Sequence, residues 1–333
     1  MFISFFRTAH FINLLMLPMV LLVMWVFIFP KADLGNTENA FPLFLYALKS
    51  IQEYRWLTIG ISLLIVVTQA LYLTTVINRQ SVLRDSSNLP ALMYVVLMSC
   101  FPEQLSFNPL LFANFLIILF IDKIFQLYQA KSAVFQTFDA GLYIGIAALF
   151  YWPCLFLFPL IWAALVLLRP FQLKEWLTAL LGLSFPFLLS GAILFGLDMF
   201  SISTINAFVE PLYKVHFSAV FNETYILLFV FLIILILASV YTFFKEIGTF
   251  SKIKTRKFLN LFVFFFLFAA LSYLVSVKKT MVSLSFLAVP LAVLFSNYFV
   301  SIKRQLIAEI LFILLISAVI YNQVLYFLQY NPI

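Results

Sequence analysis

Asn88-Leu89-Pro90, Phe101-Pro102-Glu103, Asn108-Pro109, Phe138-Asp139-Ala140-Gly141 with Gly145, Trp152-Pro153, and Arg169-Pro170-Phe171 running into Lys174-Glu175-Trp176 follow one another between residues 88 and 186. Prolines break the apolar runs here, and polar residues stand beside the breaks. The runs Pro90 to Phe101 and Pro109 to Ile121 are only about a dozen residues each, where an unaided membrane crossing takes roughly twenty. If they are as short as they read, the Pro102 to Asn108 connection lies at some depth, where irregular backbone is tolerated only against protein or a watery cavity. Phe138 to Trp152 and Pro153 to Leu168 form a second hairpin, turned at Pro153. Its Gly141 and Gly145, one helical turn apart, let helices approach closely, and close packing is a stronger reading of them than a ligand role. This stretch reads as the organising core.

Composition fixes the solvent. With 65% hydrophobic and 10% charged residues and a mean hydropathy of +1.12, the chain lies far outside the soluble range of about 45–50% apolar and about 25% charged. Separated apolar runs, without alternating ten-residue segments, argue for transmembrane helices and against a barrel. The expected fold is all-α: one integral membrane domain over residues 1–333, a polytopic bundle of about eleven spans with short broken helices. Outside the core stretch the spans are Phe11–Pro30, Trp56–Ile77, Trp176–Gly196 with a kink at Pro186, Thr224–Phe244, Phe258–Ser276, Met281–Val300 and Gln305–Leu328. The first ends in bulky Phe29-Pro30 and reads as a retained span rather than a cleaved signal. Phe41 to Arg55, too polar to cross, reads as an interfacial helix.

The charges orient the bundle. With the amino terminus cytoplasmic, fourteen of the twenty basic residues fall inside: Arg7, Arg79, Arg84, Lys123, Lys131, Arg169, Lys174, Lys245, Lys252, Lys254, Arg256, Lys257, Lys303 and Arg304. Six fall outside: Lys31, Lys49, Arg55, Lys214, Lys278 and Lys279. The excess follows the positive-inside rule and places the carboxyl terminus outside. The net charge of +7 is spread over short loops, so it reads as orientation and not as a nucleic-acid surface.

Little chemistry is signposted. No phosphate-binding glycine loop, zinc helix or nucleophile elbow occurs. Cys100 and Cys154 read as buried thiols, and His10 and His216 are too few for a histidine-rich metal site. No metal or cofactor is expected. What remains on the external side is Asp33 and Glu103 as candidate general bases, and Lys278-Lys279 as a candidate site for a lipid phosphate, the pair running against the charge trend. The plainer and weightier reading is that the lysines snorkel to headgroups and the acids are solvated. On the inner side Asp139, Arg169 and Glu175 sit at span ends, where an ion pair between Asp139 and Arg169 is as good a reading as a site.

The succession Arg84, Asn88-Leu89-Pro90, Asn108-Pro109 with Asn114, Phe138-Asp139-Ala140-Gly141 with Gly145, Trp162, Arg169-Pro170-Phe171, Glu175-Trp176 and Gly182 with Pro186 resembles an uncharacterised family of Bacteroidota inner-membrane proteins. The resemblance covers roughly the first two thirds of the chain and implies an architecture. Members are often labelled beta-carotene monooxygenase, but carotenoid cleavage needs histidine-ligated iron, which two histidines do not supply. A looser resemblance is to the GT-C superfamily of membrane glycosyltransferases, in span number, broken helices and an interfacial helix after the first span. It implies a polyprenyl-phosphate-linked sugar as substrate, with Asp33 at the position of the acid in the first external loop; the superfamily's paired acidic motif is missing. The resulting expectation is a bacterial inner-membrane protein of envelope biogenesis. It acts as a transferase or binder on a lipid-linked sugar, or as a non-catalytic scaffold or lipid or solute transporter, with membrane lipids and envelope proteins as partners.

Overall fold

The computed structural model describes residues 2–25, 55–105, 107–196, 198, 225–247, 253–275, 281–302 and 304–330. All regular structure among them is helical. Three short helices, α1 (Phe2–Phe6), α2 (Phe11–Leu15) and α3 (Leu17–Trp25), precede α4 (Arg55–Gln80). The core stretch follows as α5 (Leu89–Met98), a first 3-10 turn (Pro102–Leu105), α6 (Pro109–Gln126), α7 (Val134–Phe150), a second 3-10 turn (Trp152–Leu157), α8 (Pro159–Leu168) and α9 (Leu173–Gly196). The chain closes with α10 (Ile226–Ile247), α11 (Ile253–Val275), a third 3-10 turn (Met281–Leu287), α12 (Ala288–Ser301) and α13 (Gln305–Tyr330). The interfacial helix expected at Phe41–Arg55 lies outside the described residues, apart from its last position.

Seven of these segments are long and apolar enough to cross a membrane: Trp56–Gln80, Pro109–Gln126, Leu173–Gly196, Ile226–Lys245, Ile253–Leu274, Met281–Ser301 and Gln305–Leu328. Four more, Ile12–Trp25, Leu89–Met98, Val134–Phe150 and Trp152–Leu168, are apolar but shorter. The chain is thus a multi-pass helical membrane protein, and among the described residues seven helices reach crossing length.

Burial separates the crossing helices. In the most apolar window of Met281–Ser301, 89% of residues are buried, against 28% for Leu173–Gly196 and Ile226–Lys245 and 33% for Gln305–Leu328, so the first is interior and the others face outward. All ten residues of α5 are buried, and α5 packs on α12 to form the centre. Outer helices must match the hydrocarbon thickness of about 30 Å, whereas enclosed ones need not. The 3-10 turns also extend reach, because they rise about 2.0 Å per residue against about 1.5 Å in an α-helix. Six 3-10 and ten α residues in Trp152–Leu168 therefore extend about 27 Å.

Proline sets the starts of these helices. Pro90, Pro109 and Pro159 each stand in the first turn, where the missing N–H has no intrahelical partner to lose. Asn108 caps α6, its side chain accepting from Leu111 N at 3.1 Å, as an N-cap residue should.

Among the described helices, α7 and α9 make the most extensive contact. A Cβ at Gly141 would land on the Ala179 carbonyl oxygen, one at Gly182 on the Phe138 carbonyl oxygen, and one at Gly145 would come within 2.7 Å of Leu183 O and 2.9 Å of Pro186 Cγ. The two backbones touch because these positions lack side chains, as the glycine spacing predicted. Pro186 lies inside a continuous α9 and faces this seam.

The seam yields a contrast in α9. Gly182→Ala forces the backbones apart and is expected to lower stability by about 1–3 kcal/mol. Gly191→Ala, with nothing within 4 Å of the added methyl, should leave the melting midpoint of detergent-solubilised protein unchanged or slightly raised.

Candidate functional site

One end of the bundle is closed by charge. Arg79, in the last turn of α4, pairs with Asp122 of α6, whose carboxylate also accepts from Tyr72 and Gln126, each at 3.1 Å. Lys123 donates to Asp139 at the start of α7, 2.8 Å away. Arg169 and Glu175 meet at 2.9 Å with their side chains almost fully buried. The expected pairing of Asp139 with Arg169 is therefore not the one formed: each has a different partner. Arg169 lies at the end of α8 and points back to the α6–α7 connection, which draws it to Glu175 instead.

The buried pair is aimed at helix dipoles. Arg169 Nη1 donates to the carbonyls of Leu127 and Ala130 beyond α6, at 3.4 and 2.5 Å. Glu175 Oε1 accepts from the backbone N–H of Ala133, the N-cap of α7, at 3.2 Å. Cation therefore sits at a helix C-terminus and anion at an N-terminus, the favourable arrangement. Trp176 packs beside it, stacked on Trp162 with ring centroids 5.6 Å apart. Lys254 of α11 joins the same end, donating to Gln80 at 3.2 Å and lying 5.3 Å from the Phe258 ring centroid.

The opposite end is held by neutral side chains, because it is where the helices break. Gln104 Nε2 donates to Met281 O at 3.3 Å. Asn114 Nδ2 donates to Ser285 O at 3.3 Å. Ser272 donates to Pro153 O at 2.7 Å, and Gln323 Nε2 to Ser99 O at 2.9 Å. Tyr151 and Ser283 are 3.1 Å apart between the second and third 3-10 turns. Each bond places an amide or hydroxyl on the backbone or side chain of a break, where orphaned carbonyls inside an apolar medium need donors. Polar groups left unmet here include Gln104 Oε1, Asn114 Oδ1 and Gln323 Oε1.

Beside these breaks a cavity of about 130 Å³ opens between α10, α11 and α12. Leu97, Cys100, Phe101 and Gln104 form its inner wall, Phe229, Leu232, Ile233 and Ile236 of α10 one flank, Phe266 and Ala270 of α11 the other. Leu284, Leu287, Ala288 and Leu291 close the remaining side. Ile233 is more than half exposed, so the mouth lies on the outward face of α10, where lipid chains stand against a membrane protein. Apart from the Cys100 thiol, Gln104 is the only polar side chain in the wall.

Of the sequence candidates, Asp33, Lys278 and Lys279 lie outside the described residues. Glu103 stands in the first 3-10 turn, immediately before Gln104; its side chain is not among those described. Asp139, Arg169 and Glu175 all sit at the charged end, away from the breaks. Both cysteines are free and buried. No group of three metal-ligating side chains occurs among the described residues. Sequence reasoning passed over Gln104 and Gln323, and named Asn114 only within the family resemblance. The available signal was an amide inside or beside each broken segment, in a chain with so few polar residues.

These features define a class: a polytopic helical membrane protein with one end clamped by ion pairs and a lateral apolar cleft at its helix breaks. Within it, the chain belongs to DUF6427, a family of unknown function, whose pattern matches residues 39–328. No curated protein and no solved structure matches it.

The two kinds of ion pair predict different losses. Removing one member of a buried pair leaves the other uncompensated and costs about 3–5 kcal/mol. Glu175→Leu should therefore strip the folded monodisperse peak from detergent size-exclusion profiles. Lys123→Met, at a part-exposed pair, should cost under about 1 kcal/mol and leave the profile intact.

Proposed function

We propose that this chain is an inner-membrane protein of bacterial envelope biogenesis that holds the isoprenoid chain of a polyprenyl-phosphate-linked sugar, as a GT-C-like transferase or as a carrier. The observation that carries the reading is the cleft: an apolar slot open to the bilayer side, walled by helix breaks and adjoining in sequence the two charged candidates. Glu103 precedes the wall residue Gln104, and Lys278-Lys279 precede the third 3-10 turn that contributes Leu284 and Leu287. An apolar chain in the slot and a phosphate at the lysines is the division of labour such a lipid asks for, since ammonium groups serve as point charges for phosphate.

In the transferase form, an acceptor hydroxyl loses its proton to Glu103 or Asp33 and its oxygen attacks the anomeric carbon. The bond from that carbon to the phosphate oxygen breaks, and the lipid phosphate leaves with its charge met by Lys278 and Lys279. The excess of basic residues on one side, fourteen to six, supports placing the breaks and the cleft toward the external leaflet.

Purified full-length protein should carry prenyl phosphates in its lipid extract, enriched over their share of the membrane as read by mass spectrometry. Leu232→Trp, which fills the slot, should abolish that enrichment. Replacing Lys278 and Lys279 together with Ala should reduce it severalfold. Bulk phospholipid in membrane proportions, identical in wild type and Leu232→Trp, would sink the proposal.

A further inference from the structure

Gln104 carries information about the ligand beyond its apolar chain. Its amide orientation is fixed by chemistry: a backbone carbonyl only accepts, so the group that faces Met281 O at 3.3 Å must be the amide nitrogen. The carbonyl Oε1 is then the other end of the amide. It is buried and has no hydrogen-bond partner among the described residues, on a side chain only 2% exposed. Gln69 shows the ordinary alternative in this bundle: its Nε2 donates to Leu111 O and its Oε1 accepts from Tyr94 at 2.8 Å. Asn114 and Gln323 also leave an oxygen unmet, but neither lines the cleft. Gln104 alone combines an unmet acceptor with a place in the cleft wall.

Resting on the cleft as the chain-binding site, we infer that Gln104 selects a ligand whose head presents a hydroxyl beside a single isoprenoid chain. A buried acceptor withdrawn from water is costly until a donor reaches it, and the one donor among the other wall residues, the Cys100 thiol, is already turned to Val96 O at 3.4 Å. An ionised phosphate has only acceptor oxygens and repels this carbonyl, so phosphate belongs with the lysines and a hydroxyl with Gln104. A free prenol and a sugar on a prenyl phosphate both supply that hydroxyl. Size sets the chain. An apolar cavity of about 150 Å³ takes one benzene molecule, so 130 Å³ admits about one five-carbon branched unit. The two chains of a diacyl lipid do not both fit.

The test uses full-length protein in detergent and three probes, geranylgeraniol, its methyl ether and a dioleoylglycerol, with affinities read by native mass spectrometry. Wild type should bind the alcohol roughly tenfold more tightly than the ether, and the diacylglycerol no better than the ether. In Gln104→Leu the alcohol should fall to the affinity of the ether, while ether binding persists and reports an intact fold. Leu232→Trp should lose both. Equal wild-type affinity for alcohol and ether, with both lost in Leu232→Trp, overturns the role of Gln104 and leaves the cleft standing. Binding of both unchanged in Leu232→Trp overturns the cleft itself. Diacylglycerol binding as tight as the alcohol overturns the single-chain assignment. A ratio between mannosylated prenyl phosphate and bare prenyl phosphate that also collapses in Gln104→Leu identifies the sugar, rather than a free prenol, as the source of the hydroxyl.

Discussion

A backbone carbonyl released from a helix inside an apolar interior has to find a donor, and this constraint shapes the bundle from the centre outward. Hydrocarbon offers no water to meet the freed groups. Three 3-10 turns interrupt the core, and side chains from other elements are brought to them or to the helix end beside them: Gln104 to Met281, Asn114 to Ser285, Ser272 to Pro153, and Gln323 to Ser99 at the end of α5. Each such bond reaches across a large distance in sequence, from residue 99 to residue 323 in the longest. The breaks are therefore what fastens α13 and α11 to the core stretch, and in this sense they are the structural joints of the molecule.

The two ends of the bundle solve the same problem with different chemistry. At the charged end, Arg169 and Glu175 satisfy carbonyls and an N–H of the α6–α7 connection while pairing with each other. A buried ion pair of this kind tolerates little change, because either partner alone is an uncompensated charge. At the other end the donors are neutral amides and hydroxyls, whose loss or rearrangement costs far less. On the proposed reading, in which this end admits and releases a lipid, the second kind is the better material. The clamp and the cleft accordingly sit at opposite ends of the core helices.

Much of this was legible in the sequence, and the failures have physical causes. Hydropathy and the absence of a period of two pointed to a helical membrane bundle. Gly141 and Gly145 pointed to a close seam, and α9 with Gly182 completes it. Arg169, Glu175 and Asp139 stood out as charges at span ends, but the partner of each depends on how α8 returns over the α6–α7 connection, which spacing does not encode. Met281–Val300 read as an ordinary span although it is the most enclosed of the crossing helices. Its sign was polarity on every side, with Ser283, Ser285, Ser296 and Asn297 all buried, where a lipid-facing helix carries an apolar face. Gln104 was missed because, in a connection read as lying at some depth, the charge of Glu103 stood out and a neutral amide beside it did not. Only the enclosing helices turn it into a buried amide.

The cleft follows from the breaks rather than being added to them. α5 stops after ten residues, about 15 Å of rise, so the column it occupies is completed by the thinner 3-10 turn at Pro102–Leu105. The outer helices α10 and α11 flank this column without filling the difference. The remainder is an apolar slot with its mouth at Ile233 and a turn residue at its wall. The turn that replaces α5 here also places Gln104 on Met281 O at the third break. The apolar space and the hydrogen bond that ties the first break to the third thus lie side by side where α5 ends.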